Sequence, residues 1–261
     1  MQLNNYFDID NRRSGEAHFL EKKPENKDFL LISNTFYIGL EDPTYLTGTP
    51  IGLNYIDGQL VSYHDKAGNF PANPMIVKNH SEGAYADQLI FYFDTDKTLK
   101  VMTKIFDPNQ QWLKDVEVKD AISGLVLYDN NFNLDAGFIA FKAGISPFLP
   151  RQRLFVTLTE NNPSTIYLTA IDFSYPNGGE LILGGLELAK TAPTTYCHDD
   201  TDIHQVICLD GGGSMSFFYH SVTDGVSINT AIPAKDPNDL FRKPTENFRT
   251  IPGVMTFTES H

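Results

Sequence analysis

Short runs of apolar and aromatic residues, separated by turn-forming residues, recur along the whole chain of 261 residues. Phe, Tyr, Val, Ile and Leu fill these runs, and the chain holds 19 Phe and 12 Tyr. Such side chains favour β-strands because they pack well on a pleated surface. The 15 Pro and 19 Gly punctuate the runs at intervals that are typical of turns. The pattern predicts an α+β fold that is mostly β, with a mixed or antiparallel sheet core and a few short helices.

Several runs can be assigned individually. Residues 51–56 and 59–63 flank Asp57-Gly58 and therefore predict a hairpin with an Asp-Gly turn. Apolar runs predict further strands at 89–93, 99–105, 122–128, 138–141, 154–159 and 165–173. Helical spacing of apolar residues predicts helices at 109–118 and 181–191, the second of which stops at Pro193.

The domain organisation is predicted to be simple. Residues 1–28 are polar and charged, and we expect an irregular lead-in there that can hold one strand. Residues 29–261 contain no repeat and no linker-like stretch, and we expect one domain over this range. A chain of this length can bury a sizeable core.

The charge of the chain argues against two classes of partner. The formal net charge is −13, and a broadly acidic protein is a poor candidate for binding nucleic acid or an anionic membrane surface. No apolar stretch approaches the roughly 20 residues that span a bilayer. The N-terminal residues have neither a basic region nor an apolar core, so no signal peptide is visible, and localisation stays open between a virion and the cytoplasm. The oligomeric state is equally open.

The sequence indicates no metal site and no cofactor. Cys197 and Cys208 have no zinc-type spacing, and Cys208 lies in an apolar run that favours a buried thiol. A polar segment of the chain contains five potential metal ligands, namely His198, Asp199, Asp200, Asp202 and His204. Their spacing fits neither an EF-hand nor a zinc motif, and a solvated acidic loop is the favoured interpretation. A weaker alternative is a metal-dependent phosphodiesterase that uses this loop.

One stretch combines several chemically useful groups. The apolar run 206–209 predicts a buried strand, and it is followed by Asp210, by Gly211, Gly212 and Gly213, and by the hydroxyl of Ser214. Successive glycines allow backbone conformations that other residues avoid, and their N–H groups can form an anion-binding concavity. Asp-Gly followed by Gly is also typical of an ordinary hairpin turn. The stretch is not a nucleotide-binding P-loop, because no lysine follows the glycines.

This stretch resembles the hallmark of the phosphodiester glycosidase family, in which a hydrophobic strand runs into Asp-Gly-Gly-Gly-Ser. The match covers Leu209 to Ser214 without a gap. Shorter similarities follow the family's order at residues 32–37, 50–58, 121–127, 150–151 and 247–253. Thr35 stands where the family usually has glycine, and residues 152–155 differ from the family's arginine motif. The resemblance extends over roughly residues 29–257 and implies one domain of this type.

The resemblance implies hydrolysis of the bond between the anomeric carbon of a sugar, typically N-acetylglucosamine, and a phosphodiester. Asp210 would attack or stabilise the reacting carbon, and Arg151 or its neighbour Arg153 would hold the phosphate through a bidentate fork. The backbone N–H groups of Gly211, Gly212 and Gly213 would donate to the same phosphate. The expected substrate-binding set is completed by Asn34, Ser214 and Arg249.

The leaving group has a consequence for this chemistry. A phosphate monoester has a second pKa of about 6 and leaves more readily than an alkoxide, so one carboxylate and one arginine can suffice. The expected partner is therefore a sugar phosphate or a phosphorylated glycan, such as a teichoic acid or an exopolysaccharide. The alternative is a catalytically silent glycan-binding or phage tail module with the same fold.

Overall fold

The computed structural model describes fourteen stretches of the chain, and the account below concerns these residues. They are 2–7, 13–33, 54–60, 86–93, 95–105, 117–142, 147–162, 165–171, 180–198, 200–209, 217–223, 227–229, 250–251 and 253–259.

The described elements alternate mostly between strands and turns. The strands are β1 (Gln2–Phe7), β2 (Arg13–Ser14), β3 (Phe29–Ser33), β4 (Tyr55–Ile56), β5 (Gln59–Leu60), β6 (Ala86–Phe93), β7 (Leu99–Ile105), β8 (Glu117–Asp129), β9 (Arg153–Thr159), β10 (Tyr167–Ile171), β11 (Ile203–Leu209), β12 (Phe217–His220), β13 (Ser227–Asn229), β14 (Thr250–Ile251) and β15 (Gly253–Thr258). The helices are α1 (Gly15–Lys22), α2 (Ala136–Lys142) and α3 (Ile182–Tyr196).

The described strands form antiparallel sheets. A five-stranded sheet has the order β1-β15-β3-β12-β13, and an eight-stranded sheet has the order β10-β9-β11-β8-β4-β5 with β6 and β7 beside β8. A third sheet consists of β14 and β2. The predicted fold class, α+β and mostly β with a few short helices, is confirmed.

The two large sheets pack face to face. Alternate residues of β3 point to opposite faces of the five-stranded sheet. Ile32, with its cross-strand neighbour Met255, belongs to the core shared with the eight-stranded sheet. Phe29 and Leu31 belong instead to a separate cluster on the outer face, which Phe19 of α1 covers. The fold is therefore a sandwich with a helix on the outside of its smaller sheet.

Strand direction divides the sandwich into two ends. At the Leu209 end, β3 and β11 finish while β9, β12 and β15 begin. At the opposite end, called the Asp28 end, Asp28 and Thr258 of the five-stranded side and Ile166 and Leu168 of the eight-stranded side line one cavity. Because this cavity is lined by both sheets, the end of the five-stranded sheet at Asp28 lies against the end of the eight-stranded sheet at Ile166.

The predicted Asp-Gly hairpin is confirmed in its described part. β4 pairs with β5, and the two turn residues Asp57 and Gly58 have φ angles of 49° and 76°. Two positive φ values match the turn whose twist suits a two-residue hairpin.

Residues 138–141, predicted as a strand, are part of helix α2, so that prediction is wrong. Asp135 starts this helix: its carboxylate accepts the backbone N–H of Phe138 at 2.9 Å, as an N-cap residue does. Ala136, Ile139 and Ala140 are buried and have helical spacing. A short apolar run does not distinguish a strand from a buried helix, and the cap decides the outcome here.

The segment 1–28 is more regular than its polarity indicates. It contributes β1, which pairs with β15 along its length, and it contains β2 and α1. The polar sequence of this segment does not indicate a strand, and β1 forms because it pairs with β15, which is distant in sequence. The lead-in predicted to be irregular is thus tied to the five-stranded sheet.

The second predicted helix exists but extends beyond its predicted stop. α3 continues through Pro193 to Tyr196. Proline has no N–H and leaves the carbonyl four residues earlier, that of Ala189, without its helical donor. The hydroxyl of Thr157 in β9 donates to that carbonyl at 2.9 Å, which compensates for the loss. Of the other predicted helix, 109–118, residues 117–118 belong to β8 and 109–116 lie outside the described residues.

We predict that Thr157→Val destabilises the protein by about 1 to 3 kcal/mol, since it leaves the buried Ala189 carbonyl without its hydroxyl donor. In a Pro193→Ala background the cost should be smaller, because the new N–H can donate to the same carbonyl. Urea unfolding of the four variants in this cycle measures the coupling. Thr195→Val, at an exposed position of α3, is the control and should change stability by less than about 0.5 kcal/mol. Equal costs of Thr157→Val in both backgrounds would contradict this account.

Candidate functional site

The candidate residues divide into two groups. Arg151 and Arg153 are described by the structure. The other predicted site residues, Asn34, Asp210, Gly211, Gly212, Gly213, Ser214 and Arg249, lie outside the described residues. The structure does describe the strands that lead to them in sequence.

β11 is the strand that precedes Asp210 in sequence. Its last five residues, 205–209, are buried, as predicted for the apolar run before the glycines. The strand lies between β9 and β8, with Leu209 opposite Leu154 and Cys208 opposite Leu125. The chain therefore reaches Asp210 from the middle of a rigid sheet.

Gly124 lets β8 approach the end of β11 closely. A Cβ atom at this position would collide with Ile207 Cγ2 and would lie 3.0 Å from both the carbonyl oxygen of Cys208 and Leu209 Cδ2. Gly124 is part of the segment 121–127 that resembles the glycosidase family. This segment thus lies beside Leu209, the first residue of the stretch that resembles the family's hallmark.

Arg153 is a buried cation at the start of β9. The residue is 5% exposed. Its Nε and Nη2 atoms donate long hydrogen bonds to the carbonyl oxygens of Glu180 and Leu149, at 3.5 and 3.3 Å. Leu154, which follows it, pairs with Leu209. An arginine stays charged at any physiological pH, so a fixed positive charge is buried at the Glu180 and Leu149 carbonyls, in the residue next to the partner of Leu209.

Arg151 is exposed, although its backbone is fixed. Its N–H and carbonyl exchange hydrogen bonds of 3.1 and 3.0 Å with those of Glu180, just before α3. The two arginines therefore differ in environment: Arg153 is held within the protein, and Arg151 is accessible from solvent.

The strands around the remaining candidates meet at the same end. Ser33, which precedes Asn34, pairs with Val254 near the start of β15. The connection 210–216 leads from the end of β11 in one sheet to Phe217 in the other, opposite Ile32. All these strand termini belong to the Leu209 end.

Sequence reasoning did not identify Asp120 of β8, which is 1% exposed. A register shift opposite Phe91 makes Lys119 an extra residue in the strand, and such bulges redirect side chains. The Asp120 carboxylate accepts the N–H of Asp57 at 3.0 Å and lies 3.7 Å from Lys119 Nζ. Burial raises the pKa of the Asp120 carboxyl, and the hydrogen bond from the Asp57 N–H and the charge of Lys119 partly oppose this rise. The charged pair Lys119-Asp120 before an apolar run is the signal that could have revealed it.

Asp120 fixes the β4–β5 hairpin near the end of β11. Leu125 pairs with Cys208 on one edge of β8 and with Ala86 on the other. Ala121 pairs with Tyr55 of β4, on the edge that β11 also occupies. The hairpin therefore follows β11 along a shared edge of β8.

Three of the potential metal ligands in this segment, Asp200, Asp202 and His204, have separate partners. Asp200 is fully buried, and its carboxylate accepts hydrogen bonds from Thr159 at 2.9 Å and from Tyr167 at 2.6 Å. Asp202 accepts from Asn161, and His204 Nδ1 lies 3.3 Å from Asn130 Oδ1. Asp199 lies outside the described residues. Among the residues that are described, no cluster of three potential ligands could hold a metal ion.

Cys197 and Cys208 do not form a disulfide bond with each other. Cys208 is buried, as predicted, and Cys197 is exposed. Within the described stretches, no helix has both the length and the apolar character needed to cross a membrane.

The hydrogen bond between Tyr167 and Asp200 changes the titration of both groups. Burial by itself would raise the pKa of Asp200, but hydrogen bonds from Tyr167, Asn162 and Thr159 outweigh it and lower that pKa. The bond to Asp200, with a smaller contribution from burial, raises the pKa of Tyr167 to about 12. A carboxylate with a lowered pKa stabilises the fold above its unfolded pKa, and this contribution is lost as pH falls through the folded pKa.

We predict that Tyr167→Phe lowers the free energy of unfolding at pH 7 by about 1.5 to 3 kcal/mol, the usual value of a hydrogen bond to a charged group. The difference from the parent protein should narrow as pH falls below the unfolded pKa of about 3.9 and through the lower folded pKa of Asp200, because the hydrogen bond to the charged carboxylate is then lost. Urea unfolding at pH 7 and pH 3 measures both effects. Tyr196→Phe, which alters a tyrosine that is 81% exposed, is the control. A difference that does not depend on pH would contradict the assignment.

We predict that Gly124→Ala separates β8 from the end of β11 and destabilises the protein by about 1 to 3 kcal/mol, as overpacking does. Gly137→Ala is the matched control, because a Cβ there would meet its nearest atom at 3.5 Å. Thermal unfolding of the two variants tests this comparison. Equal melting temperatures would show that the approach of β8 to β11 is not tight.

The comparisons with known proteins give little. No family model and no curated protein matches the sequence. A solved structure described as a hypothetical protein from Synechocystis shares 12% identity at a TM-score of 0.42, over 99% of this chain and 57% of that chain. The present chain thus spans little more than half the length of that protein. A likeness at this level carries no argument about function.

Proposed function

We propose that this protein hydrolyses the bond between a sugar anomeric carbon, with N-acetylglucosamine as the preferred sugar, and a phosphodiester in a glycan or cell-wall polymer. The resemblance at Leu209–Ser214 suggests this reaction. The observation that carries the proposal is one of register: Leu209, which precedes Asp210, pairs with Leu154, which follows Arg153. The candidate carboxylate of Asp210 and the buried cation of Arg153 are therefore each next in sequence to one member of this pair.

The phosphate requires a fixed cation and several N–H donors. Arg153 meets the first requirement, since the surrounding backbone carbonyls orient its guanidinium while its charge is retained. Arg151 adds a second, exposed cation two residues earlier. The backbone N–H groups of Gly211–Gly213 are the expected further donors.

The sugar requires a carboxylate near the anomeric carbon. In the proposed reaction, the C–O bond between that carbon and the phosphate oxygen breaks, and the bonding electrons leave with the phosphate. Asp210 would stabilise the resulting positive charge or bond to the carbon, after which water completes hydrolysis. The phosphate monoester leaves without a strong general acid, because its second pKa is about 6.

The positions of the other candidates in sequence agree with this arrangement. The strand before Asn34 and the strand after the 247–253 segment pair with each other at Ser33 and Val254. Both belong to the Leu209 end, where β11 also finishes. The proposed site lies therefore where loops from both sheets of the sandwich begin.

The proposal is tested by incubating the protein with UDP-N-acetylglucosamine and measuring the release of reducing sugar. We expect release by the parent protein and a loss of about 100-fold or more in Asp210→Asn. Arg151→Ala and Arg153→Lys should weaken the reaction, because lysine cannot reproduce a bidentate fork. Asp202→Asn, at an exposed carboxylate near the start of β11, is the control and should keep full activity.

Full activity in both Asp210→Asn and Arg151→Ala would contradict the assigned roles. A second substrate, methyl α-N-acetylglucosaminyl phosphate, separates the sugar phosphodiester from the nucleotide. No release from either substrate, together with no binding of either in calorimetry, would overturn the proposal.

One observation favours the alternative of a silent structural module. Four large apolar side chains near Arg151 are exposed, namely those of Phe148, Leu149, Leu181 and Leu183. Phe148 is 79% exposed, and clusters of this kind mark protein contact surfaces. A protein whose role is assembly should form oligomers that Phe148→Ser disrupts, and sedimentation velocity would show them.

A further inference from the structure

A cavity of about 500 Å³ opens between the two large sheets at the Asp28 end. Its size falls within the range of about 300 to 1,000 Å³ that is usual for small-molecule sites. It lies at the opposite end of β3, β9 and β11 from the strand termini of the proposed glycosidase site. The cavity is therefore a separate feature of the fold.

The walls of the cavity are mostly apolar. On the five-stranded side, Leu30 of β3 lies between Tyr219 and Phe257, which are its cross-strand partners on β12 and β15. Ile166 and Leu168, before and within the edge strand β10, form the facing wall. Leu30, Ile166, Leu168 and Tyr219 remain only half-buried, so the two sheets leave apolar surface uncovered here.

Two carboxylates stand at the same cavity. Asp28 accepts the N–H of Val222 at 2.7 Å through Oδ1, while Oδ2 receives long hydrogen bonds from Tyr219 at 3.4 Å and Ser221 at 3.3 Å. Glu259 is exposed, and its backbone N–H donates to the carbonyl of Asp28 at 3.1 Å. The two acidic residues are thus held side by side.

The charge around the cavity is one-sided. Its lining, as far as the described residues show it, contains Asp28 and Glu259 but no Lys, Arg or His. The whole chain carries a formal charge of −13, which also attracts cations. An anionic ligand would meet two carboxylates there, and a neutral apolar ligand would bring no positive charge to either.

We propose that this cavity binds an organic cation with an apolar body, such as an alkylammonium group. The apolar part of the ligand occupies the space between Leu30 and Leu168, and the ammonium lies toward Asp28 and Glu259. The ring of Tyr219 contributes at the same place, because the face of an aromatic ring attracts cations, and quaternary ammonium ions above all. This binding is independent of the proposed glycosidase activity.

Three probes with one alkyl chain test the proposal by calorimetry at low salt: hexyltrimethylammonium, 1-hexanol and hexanesulfonate. We expect the cation to bind at least about fivefold more tightly than the alcohol, in line with a cation–π contact and nearby carboxylates. The sulfonate should show no binding. Equal affinities for the three probes would overturn the proposal.

Two variants locate the binding. Glu259→Gln removes one charge at an exposed position and should weaken the cation about threefold without changing the affinity for hexanol. Leu168→Trp fills the cavity and should abolish the binding of both ligands. Glu117→Gln removes an exposed carboxylate at the beginning of β8, where it pairs with Lys97, and should change neither affinity.

Circular dichroism of each variant checks that the fold is retained. Unchanged binding of the cation in Glu259→Gln would contradict the proposal even if Leu168→Trp failed to fold. Asp210→Asn should bind hexyltrimethylammonium as the parent protein does. Loss of cation binding in that variant would place the ligand at the Leu209 end and also overturn the proposal.

Discussion

The close packing of β11 between β8 and β9 is the constraint on which the candidate site depends. Gly124 removes the side chain that would push β11 away, and Leu154 fixes its register from the other side. A backbone held from both edges gives the following residues a defined starting point and direction. Catalytic groups in enzymes are placed on loops whose ends are fixed in this way by rigid strands.

The sequence predicts the fold class and several elements because their signals are local. The Asp57-Gly58 hairpin, the buried run before Asp210 and the body of α3 all follow from residues within a few positions of one another. The sequence does not predict α2, since a run of four apolar residues suits both a strand and a helix until Asp135 is recognised as a cap. It also does not predict that β1 pairs with β15, because nothing local encodes contact between the two termini.

In the candidate site, too, the sequence predicts what depends on local signals and does not predict what depends on distant contacts. The resemblance selected both arginines, but sequence alone does not distinguish the buried Arg153 from the exposed Arg151. That difference arises from Glu180 and Leu149, whose carbonyls surround the guanidinium only after α3 has packed on the sheet. Asp120 was missed for a related reason: a charged residue in a strand looks solvent-exposed until the bulge at Lys119 turns it inward.

The bond between Thr157 and the Ala189 carbonyl has a consequence for local dynamics. A helix interrupted by proline normally frays near its end, yet this one receives its missing donor from a strand of the larger sheet. The last turns of α3 therefore keep their full set of partners only while β9 stays in place. We expect these two elements to open together, as one cooperative unit with a common rate of amide hydrogen exchange. Slow amide exchange in the last turns of α3 would therefore indicate that the eight-stranded sheet, which also contains β11, is intact.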